Sequence, residues 1–223
     1  MTDLAILLFT LRVAATSTAL IAPIALVLAA LTWQAGARLR ALIDAAATLP
    51  LVLPPTAVGF VLLAIFSRRR PAGALLARLG VGFLFTPRAV VLAAAVMSFP
   101  LVFMAFRAAI DSSEIRYFQI ARTLGLGSIR AFIRVTLPLA WRGILGGIIL
   151  GFCRAIGEFG ATILIAGNIP GRTQTLALAI YNRVESGHEG DAVLLLIYVV
   201  LIALTSLIGS EVLIRRQQRR LSS

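Results

Sequence analysis

Arg154, Glu158 and Thr162 stand four residues apart inside an otherwise apolar stretch, residues 143–166. At that spacing the three side chains share one face of a helix. A charge held in hydrocarbon is costly, so each ionised group either pairs or faces water. Two readings stay open: a structural ion pair, or groups that line or gate a polar path. Ser98, Thr162 and Asn168 add neutral donors suited to weak, reversible contact with an anion, because release has to follow entry. Nothing else in the chain carries catalytic chemistry. All 21 basic residues are arginine, so there is no phosphate-loop lysine and no Schiff-base lysine. One cysteine, Cys153, and one histidine, His188, make neither a disulfide framework nor a His/Cys metal site. Cys153 reads as packing, and His188 sits with Glu185, Glu189 and Asp191 in a glycine-rich turn. No catalytic residue, no metal and no cofactor is expected. Any use of ATP would fall to another chain.

The elements that position these groups are membrane helices. Of 223 residues, 60% are hydrophobic and 13% charged, and the mean hydropathy of +0.98 excludes a soluble fold. A net charge of +12 would point to nucleic acid in a soluble protein. Here it reads as arginine at membrane interfaces, with no nucleic-acid partner. Uncharged runs of about 20 residues suffice to cross a bilayer. They predict an all-α, polytopic protein with five transmembrane helices, at residues 5–33, 45–66, 89–107, 143–166 and 191–214 of a single domain, 1–223. Pro50, Pro54 and Pro55 make the entry of the second span irregular. The N-terminus carries Asp3 and no early basic residue, so the first run reads as a retained helix rather than a signal peptide.

Five spans put the termini on opposite sides, and arginine chooses between them. With the N-terminus outside and the C-terminus inside, twelve arginines fall on inner segments: 38, 40, 107, 116, 122, 130, 134, 142, 215, 216, 219 and 220. Seven fall outside: 68, 69, 70, 78, 88, 172 and 183. The outer group is either an imperfect bias or a positive entrance for an anionic solute or acidic partner. Gly143, Gly147, Gly151 and Ala155 give the fourth span a smooth face for close helix approach.

Residues 108–142, between the third and fourth spans, are too polar to cross and too patterned to be a linker. Ser112 or Ser113 precedes an amphipathic helix, Gly125 and Gly127 break it, and a second short helix is expected from Ser128 until Pro138 stops it. The result is either an amphipathic element on lipid or a docking knob for a soluble partner.

This loop resembles that of bacterial ABC importer permeases, whose pattern is Glu-Ala-Ala, three residues, Gly, nine residues, Ile, one residue, Leu-Pro. Gln119, Ile120 and Ala121 take the first three places, Gly125 the glycine, Val135 the isoleucine, and Leu137 and Pro138 the end. Gln119 removes the ground for a salt bridge from the family's glutamate. Ile120 keeps an apolar knob, and Gly125 keeps the turn. The segments from Leu49, Val91 and Gly157 (LPLVLPPTAVGFVLL, VLAAAVMSFPL, GEFGATILIAGNIPGRTQTLALAIY) resemble the molybdate importer permeases, so the likeness covers nearly the whole chain. The resemblance implies an inner-membrane, multi-pass permease that acts as a homodimer. It implies a pair of separate ATPase subunits docked on a cytoplasmic coupling helix, with Gln119 to Leu126 as the contact knob, and a periplasmic oxyanion-binding protein delivering molybdate. Permeases for tungstate or sulfate are the nearest alternatives. A self-contained channel or secondary transporter would leave the knob without a purpose, and a structural membrane scaffold would leave the Arg154 and Glu158 pair without a transport role. Asn168 to Thr173 and the run Leu176 to Tyr181 are expected in the last outer loop.

Overall fold

Long apolar runs give the long helices here, and proline, glycine and charge end them. The computed structural model describes residues 2–80, 82–113 and 115–221, and every regular element among them is helical. Side chains are undescribed at residue 207 and at residues 210–221. That set takes in Glu211 and the four C-terminal arginines of the inner count.

α1 (Asp3–Trp33) has 31 residues, roughly 46 Å at 1.5 Å per residue, enough for a hydrocarbon core about 30 Å thick. α5 (Pro87–Asp111) lies against it, with Val13, Ala14, Ile21 and Ala25 meeting Ala93, Met97, Val102 and Phe106 in the core. α8 (Leu137–Ile156) packs on α5 through its small residues. A carbon added to Gly143 would stand 2.4 Å from Ala109 Cβ, to Gly147 2.9 Å from Ala105 Cβ, and to Gly151 2.3 Å from Val102 Cγ2. Carbon atoms do not tolerate such distances, so this stripe is what lets the two helices touch.

Among the described residues, four helical segments are long and apolar enough to cross a membrane: α1, α5, residues 128–156, and residues 189–206 of α11 (Glu189–Leu221). α2 (Ala37–Val52) and α3 (Pro55–Phe66) qualify only together, bent by 108° at the Pro54–Pro55 corner that the prolines predicted. Counting that pair as one gives five. α4 (Pro71–Arg78) folds back beneath the end of α3.

Two expected boundaries move. The fourth span does not run unbroken over residues 143–166, because the helix stops at Ile156, residues 157–159 are irregular, and α9 (Gly160–Ala166) starts anew. Its lower end shifts the other way. Pro138 does not stop a short helix, since α7 (Ser128–Ala131), a π-helical turn at Phe132–Thr136 and α8 form one continuous helix. A widened turn just before proline relieves the clash of its ring with the preceding turn and tolerates the missing N–H.

The expected last outer loop is also more deeply packed than a surface loop. Thr173, Gln174 and Thr175 are buried, and α10 (Leu176–Glu185) buries Leu176 and Leu178 completely. Here the Leu176 N–H donates to Thr10 Oγ1 at 2.9 Å, and the Thr10 hydroxyl donates to the Ile6 carbonyl at 2.9 Å. Arg183 pairs with Asp3 across the same two helices. Replacing Thr10 by valine keeps the shape but orphans a buried N–H, at a cost of about 1–3 kcal/mol. The thermal midpoint of the purified protein should fall by several degrees at about 2–4 °C per kcal/mol. Thr10→Ser should restore it.

Candidate functional site

The breaks in the long helices meet each other. α3 begins after the proline corner, and α9 begins after residues 157–159. A side-chain carbon on Gly160 would stand 2.7 Å from Pro55 Cβ, and one on Gly59 2.8 Å from Ala161 Cα. The two short helices therefore touch almost backbone to backbone. Glu158 lies in the break itself, 2% exposed, and both of its oxygens are occupied. Oε2 pairs with Arg154 Nη1 at 2.9 Å, and Oε1 accepts from the Ala161 N–H at 2.8 Å. Such an acceptor satisfies an amide that the start of a helix would otherwise leave bare.

Arg154 and Glu158 thus pair as their spacing predicted, but the three residues do not share one helix face. Arg154 ends α8, Glu158 joins the two helices, and Thr162 sits on α9. The Arg154 side chain is 27% exposed, so the pair has one buried partner and one partly open partner. Thr162 is fully buried, and its hydroxyl oxygen has no partner among the described residues. Asn168 follows Gly167, whose φ of +66° suits glycine, and its Oδ1 is likewise buried without a partner among the described residues. Ser98 stands apart on α5, fully buried, with its hydroxyl donating to the Ala94 carbonyl of its own helix. Among the described residues no cluster of three His, Cys, Asp or Glu side chains could hold a metal ion.

The loop after α5 holds the second candidate region. α6 (Ile115–Thr123) is anchored by Ala121, which is buried, and by Phe118, whose ring meets Trp33 edge to face at 4.9 Å. Trp33 also reaches Phe132 at 6.1 Å, so one tryptophan joins the end of α1, α6 and the π-helical turn. The helix ends in a paired motif: the Gly125 N–H donates to the Arg122 carbonyl and the Leu126 N–H to the Ala121 carbonyl, both at 3.1 Å. That closure requires the left-handed backbone of Gly125, φ +87°. Gln119 and Ile120 are exposed, as are Ile115, Tyr117, Leu124 and Ile129. Leu126 and Leu137 are half-buried, and Pro138 is exposed. The loop is a folded knob, not a solvated linker, and its outer face mixes Ile115, Tyr117, Ile120 and Leu124 with Arg116, Gln119 and Arg122.

One feature of this end escaped the reading of the residues. Arg40 pairs with Asp111, Arg107 pairs with Asp44, and Arg107 Nε lies 3.6 Å from Asp111 Oδ2. These four side chains tie α2 to α5 just before the chain enters α6. A signal was present: Arg40 precedes Asp44, and Arg107 precedes Asp111, by four residues each, so either helix could have held a local pair. The fold keeps Arg107 near Asp111 within α5 but also crosses two pairs between the helices.

Comparison with known proteins gives a consistent result. Residues 13–222 match the family described as binding-protein-dependent transport system inner membrane component. The chain is 45% identical over 183 residues to the molybdenum transport system permease protein ModB of Escherichia coli K12, covering 81% of this chain and 80% of that protein. It is 41% identical over 184 residues to ModB of Haemophilus influenzae, at 82% and 80% coverage. With ModB of Azotobacter vinelandii it shares 37% identity over 191 residues, at 85% and 84% coverage.

Proposed function

We propose that this chain, which belongs to the family of binding-protein-dependent transport system inner membrane components, is the permease subunit of a molybdate ABC importer. It is a multi-pass inner-membrane protein and catalyses no reaction of its own. The observation that carries the substrate is the identity of 37–45% with molybdenum permeases over four fifths or more of the chain. Tungstate or sulfate permeases, and a channel working without ATP, are not favoured by these relatives.

In this reading residues 1–223 act as one transmembrane domain with five spans, the N-terminus outside and the C-terminus inside. Two copies form the translocation path, and a periplasmic binding protein delivers molybdate to it. A pair of separate ATPase subunits docks on α6 as the coupling helix, through Gln119, Ile120 and the exposed face around them. Ala121, Gly125, Leu126, Leu137 and Pro138 fix the shape of that knob. ATP-driven closure of the ATPase pair moves α6, and coupling arises from contacts that differ between the two states. Trp33 connects α6 to α1, and the Arg40, Asp44, Arg107 and Asp111 cluster ties α2 to α5 just before the chain enters α6, so displacement of the knob reaches the long helices.

In the interior, Thr162 offers a buried hydroxyl without a partner among the described residues, a neutral donor for an oxyanion, and Asn168 sits in the loop that follows. Arg154 is neutralised by Glu158, which keeps a doubly negative solute from being trapped. Ser98 contributes to the path through packing, since its hydroxyl is already engaged.

The test is uptake of labelled molybdate by cells lacking their own importer and expressing this chain with its ATPase and binding protein. Accumulation should require the ATPase, be competed by tungstate, and resist a hundredfold excess of sulfate. Accumulation without the ATPase would overturn the coupling reading. Equal competition by sulfate would overturn the substrate.

A further inference from the structure

The corner between α3 and α4 has a composition that transport does not call on. Phe60, Val61, Ala64 and Ile65 of α3, with Pro71 of α4, line an open apolar cleft of about 470 Å³ that ends at Arg70. Phe60, Val61 and Ile65 are exposed, as are Leu75 and Leu79 at and beyond the far end of α4. At the same corner a second hollow of about 400 Å³ carries Arg68 and Arg69 beside Ser67. Arg70 therefore borders the apolar groove, Arg68 and Arg69 line the neighbouring hollow, and none of the three pairs with a carboxylate among the described residues.

The corner is built rather than loose. A side-chain carbon on Gly73 would stand 2.2 Å from the Ser67 carbonyl oxygen and 2.4 Å from that of Phe66, so α4 lies directly on the end of α3. Phe66 stacks on Phe83 at 4.4 Å and fixes the same end. This packing holds the turn that carries the arginines against the end of α3, beside the cleft.

The geometry points to a bound anionic phospholipid, with one acyl chain along Phe60, Val61 and Ile65 and its phosphate on Arg70, in the positive field of Arg68 and Arg69 beside it. Guanidinium groups bind phosphate oxygens in paired fashion and lose less hydration than ammonium groups. A free oxyanion would have no use for the apolar cleft, and an acidic protein segment would have to enter hydrocarbon to fill it. A lipid satisfies both halves at once. The site is independent of which solute the permease carries.

Native mass spectrometry of the intact importer, exchanged into vesicles of phosphatidylcholine with or without 20% phosphatidylglycerol and then stripped in mild detergent, tests it. The wild type should retain one phosphatidylglycerol per permease chain, at least fivefold over phosphatidylcholine. Arg70→Gln should reduce retention at least fivefold, and Ala64→Trp, which fills the cleft and leaves the charge, should do the same. Arg88→Gln, an exposed arginine outside the cleft, should retain the lipid as the wild type does. Equal retention of the two lipids, or retention unchanged in both cleft variants, would overturn the proposal. Displacement by millimolar inorganic phosphate would reassign the arginines to a free anion. Loss of the permease dimer in Ala64→Trp with lipid retention unchanged would assign the cleft to a second copy of this chain.

Discussion

Gly125→Val is expected to abolish ATP-coupled uptake, by at least tenfold, while leaving the protein in the membrane at its normal level. The backbone at Gly125 is left-handed, φ +87°, and both hydrogen bonds that close α6 depend on it. A residue with a side chain costs roughly 1–2 kcal/mol in that conformation, and a β-branched one is a genuine outlier there. No neighbour lies within 4 Å of the added carbon, so strain and not collision is the whole effect. The helix unwinds at its end, and Ile120 and Leu124 lose their fixed places on the knob. The spans lie elsewhere and keep their packing. Gly127 supplies the control in the same loop. It also has open space around it, but its φ of −62° suits any residue, so Gly127→Val should transport normally. Comparing uptake, membrane level and ATPase co-purification for the two variants separates a turn from mere bulk. Equal activity in both would sink the coupling role of this turn.

Much of this knob could be read before any coordinates, because glycine, proline and amphipathic spacing act locally. The proline corner between α2 and α3 and the small-residue face of α8 were legible for the same reason. What local pattern cannot convey is the choice among partners distant in sequence. Arg40 and Asp44 look like a pair within one helix, yet each reaches across to α5, a choice fixed only when α2 and α5 dock. The stretch 143–166 reads as one continuous span because it is apolar throughout. It breaks at Gly157 because Glu158 gains more by accepting a backbone amide and an arginine than the continued helix would supply. Thr10 carries no signal at all in the sequence. Its value lies in meeting Leu176, 166 residues away.

Glu158 is where the largest effect inside the membrane is expected, and two substitutions there separate its two tasks. Glu158→Ala removes the acceptor for the Ala161 N–H and the counter-charge of Arg154 together. Truncating one member of a buried pair costs about 3–5 kcal/mol, less here because Arg154 is partly open to its surroundings. The start of α9 would lose its fixed contact with α3, so both stability and uptake should fall, the latter by a hundredfold or more. Glu158→Gln retains an oxygen for the Ala161 N–H, so α9 keeps its start and the thermal midpoint should drop less. What it loses is charge balance, since Arg154 then stands unpaired beside the break. If Arg154 and Glu158 face the path, an unpaired guanidinium holds the oxyanion longer, and maximal uptake should fall while the half-saturating molybdate concentration falls with it. If the pair is only structural, Glu158→Gln should change the midpoint and leave that concentration untouched. A path-facing pair is the expected outcome, because the Arg154 side chain retains 27% exposure beside a carboxylate that retains 2%. A half-saturating concentration that rises in Glu158→Gln would contradict both forms of the argument, since neither predicts weaker engagement of an anion by a newly freed positive charge.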